Sequence, residues 1–253
     1  MADNKPIQSI VRASQIIDCF SETHLELSLA EICSQMNLNK STVYGIVKTL
    51  EQEKYLVHDA STKKYRLGIK FVTKGLYATA ALNVISIVSP YLMQLNAKYH
   101  ESTNFFLYEN NALHCVYALS SNSFSTMKTE VGIELPPLSS ASGKAILASL
   151  PADTLDTVIA SNEFIQYTPY SVNSKETLLI QLQEIRACGY AIEREEIDLG
   201  VESIAVVVRD YNGIVGTISI TGPSSRLISC QKELIPDILN CAQRISNTLG
   251  YSK

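Results

Sequence analysis

The stretch Lys40-Ser41-Thr42-Val43-Tyr44-Gly45-Ile46-Val47-Lys48-Thr49-Leu50 decides how the first third of the chain folds. At 3.6 residues per turn, its apolar residues fall on one face of a helix, and the others lie off that face. A DNA-recognition helix uses short polar side chains and cations of this kind to meet base edges and phosphates. The stretch therefore predicts a helix that packs by one face and reads DNA with another. For any one of these polar residues, simple solvation of an exposed helix is an equally good interpretation.

The elements around this helix follow the order of a winged helix-turn-helix. A helix over residues 7–20 is followed by a short helix over 29–36, for which Ser28 and Glu31 form a capping-box pattern. Residues 37–39 make the turn, and the third helix covers 40–53. Strand-like residues 55–57 and 64–67 flank a polar hairpin tip at 58–63, and a helix over about 69–82 connects the two halves. The residues expected to contact DNA are Ser28, Lys40, Ser41, Thr42, Tyr44, Gly45 and Lys48, with Lys63, Lys64 and Arg66 on the wing.

The rest of the chain mixes helical and strand-like patterns. Helices are predicted over 84–95, 141–149, 152–161, 174–188 and 227–249, and strands over 103–108, 113–119 and 126–131. A hairpin joins residues 203–209 to 214–221, because Asn212-Gly213 supplies the positive φ angles that a tight turn needs. These patterns predict an α+β domain with an antiparallel sheet.

Composition and charge narrow the class of protein. The 253 residues are 46% hydrophobic and 18% charged, which is ordinary globular usage. There is no run of 18 apolar residues and no secretion signal, so we expect a cytoplasmic protein that does not span a membrane. The net charge of −4 divides unevenly: residues 1–82 hold ten Lys/Arg and eight Asp/Glu, and residues 83–253 hold eleven and seventeen. The basic excess lies in the first third, where DNA contact is predicted.

No pattern predicts a metal site, a cofactor or a catalytic centre. The six cysteines and four histidines are dispersed, and none has the spacing of a disulfide framework or a zinc site. Residues 125–128 match S-x-x-K but lack the companion motifs of the enzymes that use it. The acidic residues Glu193, Glu195, Glu196 and Asp198 are interpreted as a solvated loop rather than as an acid pair. We therefore expect no enzymatic activity.

Two segments suggest a ligand pocket. In Thr217-Ile218-Ser219-Ile220-Thr221, the hydroxyl residues share one face of a strand. A polar face turned to water is the commoner meaning, but hydroxyls can also line a cavity for a polar ligand. Residues 139–144 precede an apolar helix whose first N–H groups can hold a carboxylate, although an ordinary helix cap explains them as well.

Seven short stretches, in order, resemble one family of proteins. They are Ile7-Gln8-Ser9-Ile10 with Arg12-Ala13, Lys40-Ser41-Thr42-Val43-Tyr44, Lys64-Tyr65-Arg66-Leu67-Gly68, Gly143-Lys144-Ala145, Glu195-Glu196 with Gly200, Ile204-Ala205, and Gly222-Pro223-Ser224-Ser225-Arg226-Leu227. Each is weak alone. Their joint order over almost the full length is similar to that of the IclR family of bacterial transcription regulators.

The resemblance implies a winged helix-turn-helix over 1–68, a linker helix over 69–83 and a GAF-like (profilin-like) effector domain over 84–253. It implies homodimers or homotetramers on double-stranded operator DNA, acting as repressor or activator. A small carboxylate, sugar acid or aromatic acid would bind the effector domain and change the spacing of two recognition helices through the linker. The effector residues carried over are Ser140, Ala141, Gly143, Glu193, Ser203, Ser219 and Thr221.

Several positions depart from the family pattern. Gly45 stands where the family usually has Arg, which removes a cation and costs about 1 kcal/mol of helix stability relative to Ala. Lys48 replaces that cation only in part. The alternative hypothesis is therefore a ligand sensor that has lost specific DNA recognition and acts through protein contacts. Glu193 stands for a usual Asp, Ser203 for a frequent Cys and Thr221 for a common Ser.

Overall fold

The computed structural model describes residues 6–21, 23–81, 84–121 and 130–251. The chain divides into two units, Met1–Leu82 and Asn83–Lys253. The predicted strand over 126–131 and the S-x-x-K stretch at 125–128 lie outside the described residues, except for residues 130 and 131, which are not in a strand.

The first unit is a winged helix-turn-helix, as predicted. Its elements are α1 (Gln8–Asp18), β1 (Leu27–Ser28), α2 (Leu29–Met36), α3 (Lys40–Gln52), β2 (Leu56–Asp59), β3 (Lys64–Leu67) and α4 (Lys70–Ala81). The strands form an antiparallel sheet in the order β1-β3-β2. The sequence patterns did not predict β1, which is two residues long. Ile16, Ile32, Val43 and Val47 are fully buried where the three helices meet, so the predicted apolar face of α3 packs into this core.

Local capping sets the boundaries of α2 and α3. Ser28 Oγ accepts the N–H of Glu31 at 3.3 Å, and Glu31 Oε2 accepts the N–H of Ser28 at 2.7 Å. This reciprocal pair is the predicted capping box. Asn37 ends α2 in the left-handed region with φ of 50°. The Asn39 side chain then begins α3 by accepting the N–H of Thr42 at 2.9 Å.

The second unit is a five-stranded antiparallel sheet with helices packed on it, which confirms the predicted α+β class. Its elements are α5 (Val84–Tyr99), β4 (Ser102–Glu109), β5 (Ala112–Leu119), α6 (Ala141–Ser149), α7 (Ala152–Ala160), α8 (Lys175–Cys188), β6 (Ala191–Arg194), β7 (Val201–Asp210), β8 (Gly213–Pro223) and α9 (Ser224–Thr248). The strand order is β5-β4-β8-β7-β6. Helix α6 lies against β6, β7 and β8, and α9 lies against β7, β8 and α5. No described helix is long and apolar enough to cross a membrane.

Candidate effector and DNA-binding sites

The face of α3 that points away from the core carries the residues predicted to read DNA. Val43, Val47 and Leu50 are buried, whereas Lys40, Ser41, Tyr44 and Gly45 are exposed, and Thr42 and Lys48 are partly exposed. Tyr44 is the only large apolar side chain on this face among the described residues of α3, and it is 48% exposed. An aromatic ring left in water on a helix-turn-helix is available for contact with a base or a sugar.

Hydrogen bonds within the protein fix the first turn of α3. Asn39 Oδ1 accepts the N–H of Thr42 at 2.9 Å and the hydroxyl of Ser41 at 3.0 Å. These bonds fix the first turn, where the positive end of the helix dipole favours a phosphate. The Ser41 hydroxyl proton is already used within the protein, so Ser41 can meet DNA as an acceptor without breaking the cap.

Gly45 is not required by packing within the first unit. A Cβ placed on this residue would meet no atom within 4 Å. Its carbonyl accepts the Thr49 hydroxyl at 2.9 Å, which leaves the helix regular. Lys48, the nearby cation, is held by Glu51 at 2.8 Å and its Nζ lies 5.9 Å from the centre of the Tyr44 ring. Lys48 would therefore have to leave an acidic partner to reach a phosphate, in line with the prediction that it replaces the arginine of the family pattern only in part.

The wing presents three cations around a fixed turn. Asp59 Oδ1 accepts the backbone N–H and the hydroxyl of Ser61 at 2.8 and 2.6 Å, which shapes the tip between β2 and β3. Lys63 at the tip has φ of 56°. Lys63 and Arg66 are exposed, and Lys64 is partly exposed. Such side chains suit the phosphate backbone beside the groove that α3 would enter.

Ser28 is placed differently from the other predicted DNA contacts. Its hydroxyl and its N–H are both used in the capping box of α2, and its backbone pairs with Lys64 of the wing. Its first role is therefore structural, since it joins the start of α2 to the wing strand.

In the second unit, a cavity of about 210 Å³ brings together six of the seven predicted effector residues. Ser140 and Ala141 come from the start of α6, Glu193 from β6, Ser203 from β7, and Ser219 and Thr221 from β8. The remaining walls, which the sequence did not predict, are Phe106, Ile133, Leu135, Ser142, Ile197, Asp198 and Val201. Apolar walls with a few converging polar groups are typical of small-molecule sites.

Gly143 is the predicted effector residue that does not line this cavity. A Cβ at this position would lie 2.2 Å from the carbonyl oxygen of Pro137, so glycine is needed for close packing of α6 on the preceding segment. The Gly143 N–H donates to Ser140 Oγ at 3.0 Å, and Ser140 donates its own proton to the carbonyl of Pro136 at 2.8 Å. Ser140 therefore caps α6 while it borders the cavity.

The first turn of α6 offers donors to the cavity. The N–H groups of Ala141 and Ser142 have no acceptor among the described residues, whereas those of Gly143 and Lys144 are bonded to Ser140. Since Ala141 and Ser142 line the cavity, these two N–H groups and the helix dipole make its α6 end favourable for a carboxylate.

Two of the three hydroxyls of β8 are not turned to water, so the commoner interpretation of their alternation was wrong for Thr217 and Ser219, whereas Thr221 is partly exposed. Thr217 is fully buried and Ser219 is 2% exposed, because α6 packs across β7 and β8. Ser203 and Thr221 share a hydrogen bond of 2.9 Å across the two strands. A partly buried hydroxyl pair at the cavity wall can exchange its internal bond for one to a ligand.

The interpretation of the acidic residues as a solvated loop was wrong for Glu193 and Glu196. These two side chains are buried, at 3% and 5% exposure. The reason is Lys144, which enters from α6 with its side chain fully buried. Its Nζ donates to Glu196 Oε1 at 2.5 Å and to Gln181 Oε1 at 2.9 Å. Asp198 is exposed on the same loop, as the solvated interpretation expected.

Glu193 belongs to the buried network of Lys144, Gln181 and Glu196 and also lines the cavity. Its Oε1 accepts the N–H groups of Glu196 and Ile197 at 2.7 and 3.2 Å. Burial nevertheless raises the pKa of Glu193 to about 7. Burial also raises the pKa of Glu196 and lowers that of Lys144. Two acids share one base here, so near neutral pH the network retains a proton that a solvated pair of carboxylates would release.

No group of three or more potential metal ligands occurs within the described part of the chain. Catalysis would need a nucleophile beside a general base, and the hydroxyls of Ser140, Ser203 and Thr221 have other hydroxyls or backbone groups as partners, whereas Ser219 accepts from the Asn104 amide.

Comparisons with known proteins agree over the whole length of the chain. Residues 9–60 match the IclR helix-turn-helix domain, and residues 77–247 match the bacterial transcriptional regulator IclR C-terminal domain. The DNA-binding transcriptional repressor YiaJ of Escherichia coli is 32% identical, with 97% of this chain and 89% of the repressor covered. The HTH-type transcriptional regulator XynR of the same species is 28% identical, with 97% and 98% covered.

Solved structures show the same fold. An IclR homolog from Microbacterium hydrocarbonoxydans, complexed with 4-hydroxybenzoate, superimposes with a TM-score of 0.84 at 21% identity, covering 95% of this chain and 98% of that one. None of these comparisons favours the alternative of a sensor without specific DNA recognition.

Proposed function

Because the chain belongs to the IclR family and is a DNA-binding transcription regulator with an effector-binding domain, not an enzyme, we propose which residues carry its two binding events. Helix α3 and the wing hold operator DNA, and the 210 Å³ cavity holds a small organic acid that controls this binding. The observation that carries the proposal is the meeting of hydroxyls, unpaired α6 N–H groups and apolar walls in one small cavity.

The cavity chemistry favours a compact acid with an apolar body. A carboxylate at the start of α6 would accept the N–H groups of Ala141 and Ser142. The hydroxyls of Ser203 and Thr221 would bind a second polar group, and Phe106 would contact the body. Small carboxylates, sugar acids and aromatic acids share these features, and the 4-hydroxybenzoate bound to the structurally similar homolog makes that compound the first probe.

Glu193 sets a condition on this ligand. A charged Glu193 would repel a carboxylate in a cavity of low dielectric, whereas the protonated form can donate a hydrogen bond to it. The acid therefore binds together with a proton, or presents a hydroxyl rather than a carboxylate to the β6 side of the cavity.

On the DNA side, we assign phosphate contacts to Lys40 and the wing cations Lys63, Lys64 and Arg66. Ser41, Thr42 and Tyr44 face the base edges. Gly45 lets the backbone of α3 approach the groove more closely than an arginine would. Lys48 adds a phosphate contact only after its bond to Glu51 opens.

The two events are linked in a cytoplasmic homodimer or homotetramer. In our proposal residues 1–68 bind DNA, residues 69–83 form the linker helix and residues 84–253 bind the effector. An effector that prefers one arrangement of the last segment changes the spacing of two recognition helices, and so changes operator affinity. Repression relieved by ligand and activation by ligand follow equally from this linkage.

The DNA assignment is tested by fluorescence anisotropy with the DNA upstream of the protein's own gene and an unrelated fragment of equal length. We expect selective binding that weakens as salt rises. Arg66→Ala should lower the slope of log affinity against log salt by about one, as the loss of one phosphate contact does. Lys232→Ala, on the surface of α9, is the charge-matched control. Equal slopes for the two variants would remove Arg66 from the DNA contacts.

The effector assignment is tested by calorimetric titration with 4-hydroxybenzoate and a panel of small carboxylates and sugar acids. Thr221→Val keeps the shape of the side chain and removes its hydroxyl, so we expect about tenfold weaker binding of the acids that bind. Thr157→Val on the outer surface of α7 is the control. Unchanged affinity in Thr221→Val would place the ligand elsewhere.

A further inference from the structure

A second cavity of about 430 Å³ lies at the other end of α6 from the proposed effector cavity. The effector cavity uses the first residues of α6, whereas this one uses Ala145, Ala148 and Ser149 at its end. Its other walls come from α8, from the last part of β7 and from α9. Both cavities lie within the second unit and share α6 and β7, but no residue lines both.

The charge of the second cavity is opposite to that of its surroundings. Residues 83–253 hold seventeen acidic and eleven basic side chains. The lining of the cavity nevertheless includes Arg186 and Arg209 and no acidic residue. Neither arginine forms an ion pair with another described residue. Two guanidinium groups without a carboxylate partner at one concave site favour an anion.

Arg186 is held in a fixed orientation. Its Nε donates to the carbonyl of Ala148 at 2.8 Å, which ties the side chain of α8 to the end of α6. The two terminal nitrogens make no hydrogen bond to another described residue. A guanidinium fixed through Nε and open at its terminal nitrogens can bind a carboxylate with little further loss of side-chain freedom.

Arg209 lies opposite an irregularity in the sheet. The register of β7 against β8 shifts between Val208 and Arg209. The N–H of Arg209 turns to α9, where Ser246 Oγ accepts it at 3.0 Å, and the Ser246 hydroxyl donates to the carbonyl of Ala242 at 2.7 Å. Val208 pairs with Gly216 and Arg209 with Ile214, so the extra residue of this β-bulge is Val215 in β8, across from Arg209. Bulges often lie beside binding sites. The bulge and the arginine pair are independent observations that agree on one place.

We propose that this cavity is a second ligand site, for an organic carboxylate with an apolar body. Ala148, Val207 and Leu239 supply apolar wall, and the two arginines bind the carboxylate. Inorganic anions would bind the arginines but leave these walls in water, so the apolar body adds affinity and selectivity.

Helix α6 lines both cavities and therefore couples the second site to the first. Residues 141–148 of α6 are all buried, so the helix has no free face along which one end can adjust without the other. A ligand that holds the end of α6 through the Arg186–Ala148 contact therefore changes the affinity of the cavity at its start. Linkage requires the reverse effect to be equal in size.

The test uses the full chain and 4-fluorobenzoate, whose binding is followed by ¹⁹F NMR relaxation. The double variant Arg186→Met/Arg209→Met removes both charges and keeps apolar bulk. We expect the double variant to bind 4-fluorobenzoate at least tenfold more weakly at one of the two sites, the cavity lined by the arginines. Arg244→Met is the charge-matched control, because Arg244 lies on α9 over the Tyr91 ring and not in the cavity. Its binding should equal that of the unaltered chain.

Further arms separate this proposal from the effector assignment. Thr221→Val should retain binding at the site lost in the double variant, altered at most through the linkage between the two cavities, so failure at one cavity does not imply failure at the other. Arg209→Lys keeps the charge but not the planar guanidinium group. Its affinity for 4-fluorobenzoate should be lower than that of the unaltered chain and higher than that of the double variant. This variant tests the proposal also in the case that the double variant folds poorly. Identical binding by the double variant and Arg244→Met would overturn the proposal. Equally effective competition by inorganic phosphate would overturn the apolar part of it.

Discussion

Glu193→Gln should make the protein more stable at alkaline pH than the unaltered chain. Burial raises the pKa of Glu193 from its ordinary 4.5 to about 7. Between these values the folded chain holds a proton that the unfolded chain has released, so the free energy of unfolding falls as pH rises and the fall is complete above about pH 7. At about 1.36 kcal/mol for each pKa unit, the loss is roughly 3 kcal/mol.

Glutamine reproduces the protonated form of this side chain. Its amide oxygen can accept the N–H groups of Glu196 and Ile197 that now bond to Glu193 Oε1. The ion pair of Lys144 with Glu196 is untouched and becomes balanced, with one base and one acid. The variant should therefore match the unaltered chain near pH 4.5 and exceed it by roughly 3 kcal/mol at pH 8.

The assay is urea unfolding followed by far-UV circular dichroism at four pH values from 5 to 8, since the chain has no tryptophan. Glu163→Gln, at an exposed position, controls for the loss of one acidic side chain. Other titrating groups shift all three proteins alike, so the decisive quantity is the difference between curves. If Glu193→Gln and the unaltered chain lose stability in parallel over this range, Glu193 does not ionise there and the condition it sets on the effector fails.

Three further predictions concern α3 and α6. Gly45→Ala should raise the free energy of unfolding of the first unit by about 1 kcal/mol, because the added methyl meets only open space; a loss of stability would contradict this. Gly143→Ala should lower stability by about 1–3 kcal/mol, because its methyl would strike the Pro137 carbonyl; thermal unfolding of the two variants side by side checks the opposite signs. Lys144→Met should cost about 3–5 kcal/mol at neutral pH by leaving Glu196 buried without its cation, and Lys144→Met/Glu196→Leu should recover most of that loss. A double variant no more stable than the single one in urea would show that the ion pair is not the cause.

The first unit could be predicted in detail because its signals are local. The Ser28–Glu31 capping box, the Asn37 turn and the apolar face of α3 each lie within a few residues of one another in sequence, and the structure has them all. Only the very short β1 was missed, since it exists through pairing of Leu27 with the distant Tyr65. Two residues have no periodicity from which a strand can be predicted.

Most elements of the second unit were predicted, with β6 as an exception, but their arrangement was not. The pairing of β4 with β8 joins Ser102 to Thr221 across more than a hundred residues, and no local pattern contains that information. For the same reason the sequence misplaced Glu193 and Glu196 in solvent. An acidic stretch is solvated unless something covers it, and here the cover is Lys144, which approaches from another helix. The cavity residues came from family resemblance, because alternation alone does not tell whether the hydroxyl face of β8 meets water or lines a cavity.

The empty space beside Gly45 also bears on how this regulator can diverge. Most new specificities in proteins arise through substitutions that cost stability, and this cost limits which mutations a population tolerates. At Gly45 the two effects do not conflict, since an added Cβ meets open space and a residue other than glycine or proline strengthens the helix. If α3 meets DNA as we propose, a single codon change at Gly45 alters the surface that faces the groove without lowering the stability of the helix.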